Sequence, residues 1–286
     1  MPEGPAPAPV TQRLRVRYAK RGRLRFTSHR DISRAVERAV RRAGIPVAFS
    51  GGFTPHPKIS YAGAAATGVA SEAEYLEIGL TETRDPARVR ADLDAALPPG
   101  LDIVDVVPVG EGRAGDARPR AGAFADRLEA SEWRIRLDGV SSDDATAAVA
   151  AFMAAGSIEV ERLTKKGLRR FDVRAAVSAF EPDRRVAEAI DAPCAILRMV
   201  VRHSTPAVRP DDILTGLRQV ADLAPPSPPL VTRLAQGPLD ADTGGLADPL
   251  DPDREFGPAF GDDAETARGQ ERPRPGDAAS VDAVSA

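Results

Sequence analysis

Residues 13–18, RLRVRY, alternate strictly, with Leu14, Val16 and Tyr18 on one side and Arg13, Arg15 and Arg17 on the other. A period of two predicts a half-buried strand, here with an arginine face turned to solvent. The period then changes. Ile32, Ala35, Val36, Ala39, Val40 and Ala43 recur at helical spacing, Ser28 stands at the N-cap with Asp31 three residues later, and Gly44 and Pro46 follow the last turn. These features predict an amphipathic helix with Arg34, Arg38, Arg41 and Arg42 on its solvent side. A turn-rich extended stretch, VAFSGGFTPHPKISYA, comes next. EYLEIGL at 74–80 alternates again, Pro86 to Ala96 has a helical pattern stopped by Pro98-Pro99-Gly100, and LDIVDVV at 101–107 reads as a closing strand. The order β-α-β-β-α-β is the ferredoxin-like pattern.

A looser version of this order follows a linker rich in Gly, Ala and Arg. WRIRL at 133–137 alternates, and Ser142 is placed to cap a helix running to Ala154. IEVERL and RRFDVRAAV are strand-like around Lys166-Gly167. Ala195 to Arg202 reads as a strand, Pro210 to Val220 as a helix and Leu230 to Leu234 as a short strand. The expected fold class is α+β, two ferredoxin-like (βαββαβ-type) units packed together over 12–109 and 128–235, with a linker at 110–127. Residues 1–11 are rich in Pro and Ala, and residues 236–286 are acidic and nearly free of large apolar side chains. Neither stretch buries enough surface to order itself, so both are expected to be disordered tails.

Cys194 is the single cysteine among 286 residues. This chain alone therefore makes no internal disulfide and holds no cysteine-ligated zinc or iron–sulfur cluster. Within the apolar run 192–201, Cys194 is expected to be a buried core residue. The start, MPEGPAPAPV, lacks a basic region followed by an apolar one, and the apolar stretches near 62–70 and 148–156 are short and rich in Ala and Gly. The expectation is a cytoplasmic protein with no membrane partner. The formal net charge of −3 conceals a separation along the chain. Residues 11–62 hold 13 Lys/Arg against 2 Asp/Glu, whereas residues 235–286 hold 4 Arg against 12 Asp/Glu. An acidic tail of this kind has the sign to fold back on the basic head.

Four stretches carry a family resemblance: RFTSHRDISR (25–34), ERAVRRAGIPVAFSGGFTPHPKIS (37–60), SEAEYLEIGL (71–80) and RLTKKGLRRFDVR (162–174). In this order they resemble the radical SAM-associated, or radical SAM-linked, family built on domain of unknown function 2344, over roughly residues 12–235. The resemblance supplies no established activity. It implies a separate radical SAM protein as partner, carrying S-adenosylmethionine and an iron–sulfur cluster, with no cofactor bound by this chain. It also implies an RNA-related setting, an RNA or a ribosome- or ribonuclease-associated assembly. YAGAAATG at 61–68 is less bulky than the corresponding run of many relatives.

The residues themselves offer three chemistries. Arginine is suited to bidentate contact with phosphate, which makes Arg13, Arg15, Arg17, Arg30, Arg34, Arg38 and Lys58 candidates for RNA or another polyanion, with Lys165 and Lys166 as an extension. A solvated or protein-contacting surface is the alternative. Aromatics there, Tyr18, Phe26, Phe53 and Tyr61 among them, are few for base stacking. Gly51-Gly52-Phe53 reads as a turn, or alternatively as a nest for an anion, and Gly52, Phe53, Pro55 and His56 are counted with the ligand- or RNA-binding candidates, the PHPK segment being expected to contact the reacting region. His29, Asp31 and His56 are candidates for acid–base chemistry, against a capping role for Asp31 and a rigid extended setting for Pro55-His56-Pro57. No metal ligand is assigned. The function expected is that of a non-catalytic accessory module that binds RNA and presents it to the radical enzyme. The alternatives are a protein–protein adaptor, or a small enzyme using those three residues.

Overall fold

The computed structural model describes residues 7–110, 124–164, 167–183, 193–240 and 242–256. The protein is a mixed α+β fold with one large, mostly antiparallel sheet. The first half runs β1 (Gln12–Lys20), α1 (His29–Arg42), β2 (Ile59–Ala62), β3 (Ala70–Leu80), α2 (Pro86–Ala96) and β4 (Leu101–Pro108). The second runs β5 (Ala130–Asp138), α3 (Ser142–Ala154), β6 (Glu159–Thr164), β7 (Gly167–Asp172), β8 (Val177–Pro182), β9 (Cys194–Arg202), α4 (Pro210–Ala221) and β10 (Leu230–Gly237), followed by α5 (Asp251–Phe256).

The strand order is β4-β1-β3-β10-β5-β9-β8, with β2 also paired to β3. The outer edge of β3 is thus shared: Ile59–Ala62 of β2 pair with 75–78, and Thr232 and Arg233 of β10 pair in parallel with Ala70 and Ser71. This short parallel seam joins the halves into one sheet. β6 and β7 form a separate two-stranded hairpin.

Leu14, Val16, Leu76 and Ile78 meet Ile32, Val36 and Val40 of α1 and Val89 and Leu93 of α2 in one core. Ile135, Leu137, Leu197 and Met199 meet Phe152 of α3 and Ile213 and Leu217 of α4 in another. α1 starts at Ser28, whose hydroxyl accepts from the Asp31 amide at 3.3 Å, and it is followed by Gly44 at φ +63°. For α3 the cap is Ser141, one residue before the serine expected from the sequence, accepting from the Asp144 amide at 3.1 Å. β8, which the alternation did not separate from β7, is a strand of the main sheet. Cys194 is buried, as expected.

The arginine face of β1 is not open to solvent. A turn at Phe124–Arg127 and the segment through α5 lie over it, and Tyr75, Val107, Leu128 and Leu250 form a third apolar cluster there. The boundary expected at 235 therefore moves outward. Gln236 and Leu250 are fully buried, and the order extends to Phe256. Pro7–Thr11, expected to be part of the N-terminal tail, likewise have described positions, and the Thr11 amide donates to the Leu80 carbonyl at 2.8 Å. Residues 1–6 and 257–286, most of the linker and the Lys165-Lys166 pair lie outside the described residues. Among the described residues no helix is long and apolar enough to cross a membrane.

Candidate functional site

The arginines expected to form one surface divide between the two faces of the sheet. Leu14 and Val16 point at α1, so Arg13, Arg15 and Arg17 point away from it. Arg13 pairs with Glu77 at 2.9 Å. Arg15 is buried, pairs with Asp253, lies 3.4 Å from Glu77 and stacks over Phe124. Arg17 is half-buried and donates to the Glu72 carbonyl at 2.9 Å. These three are not a free cationic row, because carboxylates engage Arg13 and Arg15 and a backbone carbonyl engages Arg17. Part of the acidic tail does fold back on the basic head, through Asp253, which also accepts from Arg127 at 2.8 Å.

The outer side of α1 is different. Arg30, Arg34, Arg38 and Arg42 follow one another at intervals of four, which places them in a single row along the helix. Arg30, Arg34 and Arg38 are exposed. Arg34 has a loose pair with Asp31 at 3.8 Å, and Arg42 donates to the Ala96 carbonyl at 3.2 Å. Arg30, Arg38 and Arg41 have no carboxylate at ion-pair distance among the described residues.

Before α1, a 3-10 turn over Gly22–Phe26 presents Phe26 with 60% of its surface exposed and the Arg25 guanidinium 4.6 Å from the ring centre. His29, in the first turn of α1, is exposed and meets Tyr61 of β2 edge-on at 4.9 Å. Burial pushes the Tyr61 phenol up to about 12. Asp31 is occupied with its cap: the Ser28 hydroxyl donates to its carboxylate at 2.7 Å.

The GGFTPHPK segment is a β-like hairpin. Phe49 bridges Pro57, the Ser50 amide donates to the His56 carbonyl at 2.8 Å, and the His56 amide donates to Ser50 Oγ at 3.0 Å. Gly52 takes φ +104° at the tip, where Phe53 is 84% exposed; Pro55 and His56 are also exposed. Lys58 emerges beside Gly79, on the face of β3 that carries Arg13, and not beside the α1 row. The structure does not bring His56 to His29 and Asp31. His56 is engaged with Ser50 in the hairpin, whereas His29 packs against Tyr61 of β2. Among the described residues no group of three His, Cys, Asp or Glu side chains is arranged to hold a metal ion.

A buried polar cluster at the seam escaped the sequence reading. Arg233 pairs with Glu74 and donates to Ser71 Oγ at 3.2 Å and to the Gln236 side chain at 3.3 Å. Gln236 donates to the carbonyls of Ala73 at 2.6 Å and Gly63 at 3.2 Å. Lys20 donates to the carbonyls of Ala65 and Ala66 at 3.2 and 3.1 Å, and the Ala65 amide donates to Glu74 at 3.1 Å. Burial lowers the Lys20 ammonium, and Arg233 acts in the same direction, against the pull of Glu74. Next to this cluster, His203 bonds Ser131 Oγ at 2.7 Å and the Leu128 carbonyl at 2.6 Å, and burial lowers its pKa. The signal was present in the alternation: Lys20 is in phase with Leu14, Val16 and Tyr18, and Glu74 with Leu76, Ile78 and Leu80. The cluster pins the 63–66 loop across the seam, and its hydrogen bonds are satisfied internally.

The sheet, the helices packed against it and the arginine-bearing helix that follows β1 define a mixed α+β protein with a cationic helix face. The sequence profile of the uncharacterized protein family conserved in bacteria, DUF2344, matches residues 13–210, and the chain belongs to that family. No curated protein matches the chain.

Proposed function

We propose that this protein is a non-catalytic accessory module that binds RNA on the outer face of α1 and presents it to a separate radical SAM protein. The single observation that carries the RNA part is the row Arg30, Arg34 and Arg38, exposed along one helix side with little neutralisation by carboxylates. Such a row engages successive phosphates and displaces their counterions. The radical SAM partner, with its S-adenosylmethionine and iron–sulfur cluster, rests on the motif resemblance around SHRD and GFTPHPK. In the same reading each half is a ferredoxin-like unit, supported by the strand orders β4-β1-β3-β2 and β10-β5-β9-β8. The setting is cytoplasmic.

The test is anisotropy of a labelled single-stranded RNA across a salt series. Binding is expected at low salt, weakening with a slope of about −0.7 per phosphate neutralised. Replacing Arg30, Arg34 and Arg38 by Ala should flatten that slope by about two units. An absence of binding at low salt, or binding indifferent to salt, removes the proposal.

One observation favours the adaptor alternative. On the β6–β7 hairpin, Leu163 and Leu168 stand directly opposite each other, 79% and 63% exposed. An apolar pair at such a position is suited to a protein surface. Co-purification of the radical enzyme after ribonuclease treatment would support this reading over the first.

A further inference from the structure

The turn ahead of α1 is anchored on both sides of an aromatic ring that it presents to solvent. Leu24 is packed into the first core, and the Gly68 amide donates to the Arg25 carbonyl at 2.7 Å. Arg21, just before the turn, is clamped by Glu72 and by Asp102 at 2.7 Å. Phe26 is nonetheless 60% exposed, so its ring adds little to the core. A single exposed phenylalanine carries no meaning by itself. Here three further facts accompany it. The Arg25 guanidinium lies 4.6 Å from the ring centre. Arg23 sits three residues earlier in the 3-10 turn, a spacing that places it on the same side as Phe26. Arg30 begins the arginine row four residues later. Neither Arg23 nor Arg25 has a carboxylate at ion-pair distance among the described residues.

We infer that Arg25 and Phe26 form a stacking platform for one unpaired base of a single-stranded RNA, whose backbone then runs along the α1 row. This deepens the RNA reading and rests on it. An aromatic ring on an anchored turn needs no backbone rearrangement to receive a base, and every base has a face to offer it. The flanking guanidiniums supply contacts to phosphate. A base held within a duplex cannot reach such a platform, so the inference specifies single strands.

The experiment compares three probes on the full chain: a labelled 12-nucleotide oligoadenylate, the same strand annealed to oligouridylate, and inorganic polyphosphate. The wild-type protein should prefer the single strand to the duplex. Phe26→Ala should weaken oligoadenylate binding by at least about fivefold and leave polyphosphate binding unchanged. Phe26→Trp in a Trp133→Phe background should retain binding, with the new indole quenched by the RNA. Unchanged oligoadenylate binding by Phe26→Ala overturns the platform and leaves the arginine row standing. Equal losses for oligoadenylate and polyphosphate also overturn it, since stacking does not act on polyphosphate. Failure of the wild-type protein to bind any of the three at low salt overturns the underlying RNA reading as well.

Discussion

At the scale of residues, the seam encloses a charged pair. The side chains of Arg233 and Glu74 are only 4% and 2% exposed and face each other. Removing one member of a buried pair strands the other charge, at a cost of about 3–5 kcal/mol, whereas removing both is far less costly. Glu74→Leu and Arg233→Met should each lower urea stability by that order, and the double variant should lose less than either. Additive losses would show that the two are not coupled. His203 gives the same region a pH dependence. Its pKa is lowered in the fold, chiefly by burial and with Arg233 acting in the same direction, while in the unfolded chain it titrates at its ordinary 6.5. Below pH 6.5 the unfolded state therefore binds more protons, so this contribution to stability falls as pH falls. Melting temperatures of wild type and His203→Gln between pH 7.5 and 5.5 should converge toward acid; parallel curves would rule the imidazole out.

At the scale of elements, periodicity made most of the fold legible, and its most consequential error concerned what covers β1. α1, α2 and the strands of the first half follow from apolar spacing, the Ser28 cap and the stop at Pro98-Pro99-Gly100, because each depends on neighbours in sequence. The same alternation that revealed β1 suggested a wet arginine face. Alternation reports that two faces differ, and it does not report what covers the second face. Arg15 is covered by Asp253, 238 residues away in sequence, and no local pattern encodes such a contact. Half of the candidate site was legible for a similar reason: the α1 row is a property of one helix, while the separation of His56 from His29 depends on how β2 lies against α1. Exposed Phe26 and Phe53 were visible as letters, but their exposure is a tertiary property.

At the scale of the whole molecule, the C-terminal segment decides which arginines are available. Asp253, with a side chain 4% exposed, meets both Arg15 and Arg127, while Arg254 pairs with Asp105 and Asp248. The segment therefore closes the face of β1 opposite α1 and contributes to the fold as it does so. Asp253→Ala leaves Arg127 without a carboxylate and Arg15 with only Glu77 at 3.4 Å, and urea unfolding should show a loss of about 3 kcal/mol. Against a typical total of about 5–15 kcal/mol the chain should remain folded at low temperature. Under those conditions its affinity for single-stranded RNA should stay within about twofold of wild type, because Arg15 and Arg127 lie on the covered face and the α1 row is untouched. A clear gain in affinity would move the polyanion contact from α1 to β1, and would make the acidic segment a competitor for the same arginines that RNA seeks.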